Sequence, residues 1–350
     1  MTSPEPPRSH RLDRRAELRD FLRSRRARLR PEDAGLPALG GRRRVPGLRR
    51  EEVALLAGIS TTHYTRLEQG DLASISAEVL AAVGAALRLG GDEREYFGNL
   101  VHPAAPRAAD PRTSQGTDPL AGAPEPSLDL RALMHGITDF PAFVNGRYGN
   151  PLAWNQMTTR LLFDFGAVAP DARTWCHIVF LHEAHRSWYS AEDWTALQRY
   201  HAAYLRLGWS RHPEDPRFHA MVDELRCGSA DFRTLWDEHT VADARPAQLR
   251  FRHPSAGPLH LTQQVLTVTG DRDQTFVTQT ATFGSTSHRA LRRFAGGDVP
   301  FRRPHPWTFV PRPPDYAGTP DHPGTSDCTA APDYAGAPES AGTQGVGTQA

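Results

Sequence analysis

Apolar residues recur at helical spacing through the first hundred positions of this chain. Leu18, Phe21, Leu22 and Leu29 form one stripe between Arg14 and Leu29. Val53, Leu56 and Ala57 form a second, shorter stripe, and Ile59, Tyr64 and Leu67 a third. Between these two stripes stands Gly58, suited to a left-handed turn, and Ala54 four positions earlier is small enough for two helices to cross steeply. Arg50–Glu68 is therefore expected to be two short helices joined by a tight turn. Val79, Leu80, Val83 and Leu87 follow Ser76, a good helix cap, with Glu78 favourable in the first turn. Gly90 and Gly91 are expected to stop this helix, and Asp92 to open a fifth through Tyr96, Phe97 and Leu100. Five helices over residues 11–101 predict a small all-α domain.

The pattern then lapses. Residues 102–127 are dense in proline, alanine and small polar residues and read as a flexible linker. Beyond it the period changes. Ala142–Gly149 reads as a strand running into a hairpin at Asn145-Gly146, with a return through Tyr148 to Trp154 and a helix from Asn155 to Phe165. Helical stretches follow near 191–207, 216–226 and 229–239. Pro258–Thr269 and Thr275–Phe283 read as late antiparallel strands around a Gly-Asp-Arg-Asp turn. Such an order predicts an α+β domain, a sheet closed over one layer of helices, across residues 128–296. Residues 311–350, with PDYAGTP echoed by PDYAGAP, read as a disordered tail.

Charge singles out the first domain. All 41 basic residues are arginine, and the net charge of the whole chain is only +1. Arg8–Arg50 nevertheless holds 15 arginines against 5 acids. Coding bias explains the absence of lysine but not this clustering, which is the footprint of a phosphate-binding surface. In a helix-turn-helix the second helix enters the major groove by its N-terminal end. Ser60, Thr61, Thr62, His63, Thr65 and Arg66 are then the groove-facing candidates, and Arg50 stands where a side chain reaches the backbone. Arg66 reads equally as an ion-pair partner of Glu68 or Glu17. Arg42, Arg43, Arg44 and Arg49, in and beside the loop before the motif, are candidates for phosphate contact.

The segments RRAELRDFLRSRRARLRPEDAGLP, GRRRVPGLRREEVALLAG and HYTRLEQG resemble the N-terminal domain of the actinobacterial branch of the Xre (Cro/C1-type) transcriptional regulators. Leu152–Asn155, Arg211–Pro216, Phe232–Asp237 and Arg252–Pro254 resemble the MmyB-like ligand-binding domain that accompanies it. The match spans roughly residues 14–294. It implies a homodimeric factor that binds double-stranded DNA, with a PAS-like C-terminal domain and a fatty acid as ligand. Strand, hairpin, strand and short helix is how a PAS-like sensor begins. Thr61-Thr62-His63 replaces a run that usually carries an acid and a tyrosine, a change in base preference. Asp71-Leu-Ala-Ser replaces arginine-rich residues, which removes phosphate contacts.

Of the 30 aromatic residues, 17 lie between Phe140 and Trp236, enough for a core and a cavity. Candidates for an apolar ligand wall are Trp154, Phe163, Phe180, Leu181, Trp188, Tyr204 and Trp236. Asn155, Arg252 and His253 are candidates for its polar head. The alternative is that the aromatics fill a core and that Asn155 caps the helix after it. A metal-dependent enzyme is a third reading. His177, His182 and His185 lie close together, but the order HEAH differs from the HExxH of zinc proteases. No nucleophile elbow, phosphate-cradling loop or dinucleotide fingerprint is present. No cofactor, metal or catalytic residue is therefore expected. Cys176, Cys227 and Cys328 have no paired spacing, and no signal peptide or membrane span is visible, so a cytoplasmic, nucleoid-associated protein is expected. The competing account of the second domain is a module that only dimerises or binds a partner protein.

Overall fold

A computed structural model describes residues 13–36, 47–71, 75–102, 125–169, 172–182, 185–241 and 248–296. Residues 103–124 of the expected linker, Arg42, Arg43, Arg44, Cys328 and the tail from 311 lie outside the described residues.

Five helices open the chain: α1 (Arg14–Arg28), α2 (Arg50–Leu56), α3 (Thr61–Glu68), α4 (Ala77–Ala86) and α5 (Gly91–Val101). Their starts are set by local caps. Asp13 accepts from the Arg15 amide, Ser60 from His63 and Ser76 from Val79. Leu18, Phe21, Leu22, Val53, Tyr64 and Val83 are fully buried, and Phe21 meets Tyr96 edge to face at 5.1 Å. Ala54 is buried beneath the turn and Gly58 adopts φ +65°, as the sequence requires. The end of α4 differs from expectation. It stops ahead of the glycines, with Arg88 in the left-handed region, and Gly90 is the N-cap of α5, closed by Glu93 reaching back to the Gly90 amide at 2.9 Å. Two glycines signal a break equally well as a stop or as a start, and Glu93 decides it.

The second part is α+β. Its elements are α6 (Leu128–Gly136), β1 (Ala142–Asn145), β2 (Pro151–Trp154), α7 (Gln156–Leu161), α8 (Trp175–His177, continued by a π-helical turn Ile178–His182), α9 (Ala191–Arg211), α10 (Pro216–Gly228), α11 (Ala230–Asp237), β3 (Leu249–His253), β4 (Gly257–Val268), β5 (Asp271–Thr280) and α12 (Thr286–Ala295). The strands form one antiparallel sheet in the order β2-β1-β5-β4-β3, which fits the PAS-like expectation. The β1–β2 hairpin turns over five residues rather than at Asn145-Gly146. The Gly146 amide donates to the Asn150 carbonyl at 2.8 Å, and the left-handed residue is Gly149. α6, α8, β3 and α12 lie outside the elements read from the sequence, although α12 carries a clear apolar stripe of Ala290, Leu291 and Phe294 behind its Ser285 cap and β3 alternates buried and exposed residues.

One face of the sheet, bearing Ala142, Val144 and Phe276, packs on Met134 of α6. The other face, bearing Phe143, Val277, Leu249 and Leu261, turns toward α8, α9 and the segment around Trp188. The DNA-binding-type helices and α9–α11 share a single buried cluster from Leu18 to Val241. α9 is the element common to both halves.

Candidate functional site

The first candidate surface is the exposed side of α3. Ser60, Thr61, Thr62 and Arg66 are exposed, and His63 and Thr65 are half-buried. Ser60 spends its hydroxyl on the His63 amide at 3.1 Å, so its role at the N-terminus is a cap. Thr61 and Thr62 project from the first turn, where a helix entering the major groove reads base edges. Arg66 pairs with Asp71 at 2.9 Å rather than with Glu68 or Glu17, and remains largely solvent-exposed. Arg49 is half-buried beside Glu51. Arg50 donates to Glu68 at 3.1 Å while staying half open to solvent.

Glu68 is the anchor of this unit. Its carboxylate is buried and receives Arg26 twice, at 3.0 and 3.2 Å, as well as Arg50. A buried carboxylate is tolerable only with charged donors around it. The arrangement ties α1, α2 and α3 together. The basic excess counted along the sequence is therefore not all available to phosphates. Arg26 is held by Glu68 and the Leu48 carbonyl. Arg25 is buried against Glu93 and donates to the His239 and Val241 carbonyls, and burial lowers its pKa to about 10.

That last contact belongs to a second feature, a seam of ion pairs between the two halves. Glu17 of α1 pairs with Arg206 of α9 and with His239 Nδ1 at 2.9 Å. Arg206 is buried, donates to the Trp236 carbonyl, and lies 4.0 Å over the Trp236 ring. Burial lowers the Arg206 pKa to about 9. Along the same helix Ser210 accepts from Asn99 at 3.1 Å and Arg211 pairs with Glu95 at 2.8 Å, both partners lying on α5. Neither the partners nor the seam is visible in a linear pattern, because positions 17 and 206 carry no shared local signal.

The third feature is a cavity of about 50 Å³ between the sheet and α8–α9. Phe143, Leu162, Trp175, Ile178, Trp188 and Leu197 supply apolar wall, with Trp175 stacked on His201 at 5.6 Å. Its polar atoms come from Asn145, His185, Tyr200, His201, Gln263 and Gln279. Burial holds His185 at about 4 and His201 at about 3, so both imidazoles are neutral at pH 7. Gln263 and Gln279 sit directly opposite on β4 and β5.

Of the residues singled out for a ligand wall, Trp188 lines this cavity. Trp154 packs on Phe165 under Arg173, and Phe163 on Phe165 and His185. Phe180 and Leu181 face the α10–α11 side, where Phe180 meets Phe232 at 5.0 Å. Tyr204 contacts Thr275 Oγ1 at 3.3 Å, and Trp236 belongs to the seam beneath Arg206. Asn155 caps α7: its Oδ1 accepts from Thr158 and Ala142 amides, and its Nδ2 donates to the Ile137 and Phe140 carbonyls. Every polar site on that side chain is used. Arg252 is exposed on β3. His253 is buried, its Nδ1 accepting from the Ser255 and Ala256 amides, and burial lowers its pKa to about 4. The overlooked lining residues Tyr200, Gln263 and Gln279 announce themselves only as polar residues at core-facing positions.

The histidine group is divided. His177 bonds Thr174 Oγ1 at 2.6 Å and Glu224 at 3.1 Å, whereas His185 lies 4.1 Å from the Trp188 ring. Among the described residues no three metal-ligating side chains converge. Cys176 is buried, its thiol pointing at the His201 carbonyl, and burial pushes its pKa up. No helix among the described residues is long and apolar enough to cross a membrane.

Comparison with known proteins agrees with this division. Residues 127–294 match the MmyB-like transcription regulator ligand binding domain, and residues 17–97 match a helix-turn-helix domain. No curated protein matches the chain.

Proposed function

We propose that this chain, a DNA-binding transcription regulator that joins a helix-turn-helix domain to an MmyB-like ligand-binding domain, is a one-component switch in which an apolar small molecule in the cavity sets the affinity for an operator. The observation that carries this is the double duty of α9. Its first half lines the cavity through Trp194, Leu197, Tyr200 and His201. Its second half holds the DNA-binding half through Arg206, Ser210 and Arg211. Tyr200 and Arg206 are about 9 Å apart along the helix axis at 1.5 Å per residue. A shift of α9 on ligand entry therefore reaches Glu17 and Asn99 without an intermediate element. A ligand moves the equilibrium only by its difference in affinity for the two positions of α9.

Thr61 and Thr62 read bases, Arg49, Arg50 and Arg66 meet phosphates, and the affinity falls steeply with salt. The protein works as a cytoplasmic homodimer of the Xre class. Leu128 and Leu133 of α6 are 83% and 59% exposed, and Leu266, opposite Phe276 on the same side of the sheet, is 54% exposed. These supply apolar surface for a contact between copies. A fatty acid is the ligand class that the family resemblance brings, and the apolar wall suits its chain.

The test is native mass spectrometry of the purified chain, followed by operator titration with and without whatever is retained. Retention of a small molecule that changes operator affinity supports the switch. Unchanged affinity at saturating ligand overturns it and leaves a sensor domain that only assembles.

A further inference from the structure

We propose that His201 receives the acid head of the ligand, and that the bound acid and the His201 imidazole share one proton drawn from solvent. This rests on the reading of the cavity as the site of a fatty acid, and it gives the head of that acid a place.

Asn155, Arg252 and His253, the head-group candidates of the sequence, do not line the cavity. The polar groups that do line it are mostly committed to one another. Asn145 Oδ1 accepts from Trp175 Nε1 at 3.1 Å. Gln279, Gln263 and Tyr200 form a chain with links of 3.1 and 3.2 Å, and turning both amides over preserves it. His201 differs. It is 8% exposed, its ring stacks on Trp175 and meets Tyr200 edge-on at 5.0 Å. Among the described residues neither of its ring nitrogens has a hydrogen-bond partner. An imidazole carries one N–H and one bare nitrogen in either tautomer, so its need for a partner does not depend on how the ring is turned. A buried group of this kind is costly to leave unmatched. His185 also lines the cavity, but it is less buried and packs on Phe163 and Trp188.

Charge balance then requires a proton. No arginine, aspartate or glutamate is among the described residues that line the cavity, and the chain has no lysine. The titratable groups around His201 are the Cys176 thiol of α8, which bonds the His201 carbonyl, His185 and Tyr189 beside Trp188, and Tyr200 of α9. Asp231 of α11 is held by Gln198, one turn back along α9. The thiol and phenols are neutral at pH 7, and burial keeps both imidazoles neutral before the acid enters. A fatty acid is ionised in water at that pH, and its carboxylate is strongly disfavoured in a dry site without a positive partner. One proton resolves this. With the carboxylate beside it, a His201 ring nitrogen takes H+ from water, and one charge-assisted hydrogen bond holds the pair. No covalent bond between heavy atoms changes, and the complex holds one proton more than the separate partners. The charge appears on α9 itself, the helix whose Arg206 holds Glu17.

Trp175, Trp188 and Trp194 line the cavity, so tryptophan fluorescence of the full chain follows the binding of decanoate and decanol. Between about pH 6 and 8, decanoate is expected to weaken by up to about tenfold per pH unit, the slope of one proton taken up. Decanol, which has no charge to neutralise, should stay within about twofold over that range. His201→Phe keeps a ring on Trp175 and removes both nitrogens. It is expected to lower the affinity for decanoate relative to decanol at least about tenfold. Thermal melting checks that the variant is folded, and the wild-type pH profile tests the proton without any variant. Decanoate binding that is independent of pH overturns the shared proton, and an unchanged decanoate-to-decanol ratio in His201→Phe overturns the residue. Either result leaves a ligand site, whereas binding of neither probe overturns the ligand reading itself.

Discussion

The seam between the halves should behave as one coupled unit, and a double-mutant cycle on Glu17 and Arg206 measures it. The Glu17 carboxylate is 7% exposed and the Arg206 side chain 1%. Two unit charges about 4 Å apart, in surroundings of effective dielectric about 20, attract by about 4 kcal/mol. Much of that is offset by the cost of drying both groups, so the net worth of the pair is far smaller than its attraction. Removing one partner is another matter, since the other stays buried. In Glu17→Gln, Arg206 keeps the Trp236 carbonyl and ring and has a neutral amide oxygen in place of the carboxylate. The expected loss is about 3 kcal/mol, at the low end of broken buried pairs because Gln still accepts. In Arg206→Met, the methionine keeps apolar volume over Trp236, but Glu17 is left with a neutral His239, and the expected loss is about 2–3 kcal/mol. The double variant holds no stranded charge and should lose about 2 kcal/mol less than the sum of the two. Urea unfolding of the full chain, followed by far-ultraviolet circular dichroism, gives the three differences from shifts in midpoint and slope. Both single variants should also separate the transitions of the two halves. Additivity within about 0.5 kcal/mol would refute the reasoning, because independent sites behave that way.

Stability should fall as pH drops from 7 to about 4. Burial holds His185, His239 and His253 near 4 and His201 near 3, against an ordinary 6.5. The unfolded chain therefore takes up protons below 6.5 that the folded chain refuses, and each group costs up to about 1.4 kcal/mol per pH unit. A flat melting profile between pH 7 and 5 would contradict these burials. Gly58→Ala forces a side chain into φ +65° although no neighbour lies within 4 Å, so the cost is backbone strain alone, about 1 kcal/mol by thermal melting. Loss above 3 kcal/mol would mean that the turn has a role beyond its conformation. On a defined operator, Thr62→Ala should change the ranking of operator sequences, whereas Arg49→Ala should weaken all of them alike and reduce the salt slope by about one. Reversal of those two patterns in fluorescence-anisotropy titrations would exchange the assigned roles.

Much of the first domain was legible because its signals are local. A stripe at i, i+3, i+4, a serine before α3 and α4, an aspartate before α1 and a glycine in one turn act over a few residues, and α1, α2, α3 and α4 begin where the local pattern puts them. The late hairpin β4–β5 and the cap role of Asn155 were legible for the same reason. The sequence by itself thus determined the two-part order, the helix-turn-helix and the α+β class. It did not determine where α4 ends, since two adjacent glycines signal either boundary until Glu93 closes on Gly90. It also could not rank aromatic residues by place. Trp154 and Trp188 are equal as composition, and only the packing of the α8–α9 layer on the sheet puts one of them in the cavity wall. Arg25 and Arg26 counted as DNA-facing charge until burial and the partners Glu93 and Glu68 withdrew them. Those outcomes belong to tertiary structure because they depend on which residues meet from separate elements of the chain. Glu17 finds Arg206, and Gln263 and Gln279 find Tyr200, only once α9 has settled between a helical domain and a sheet.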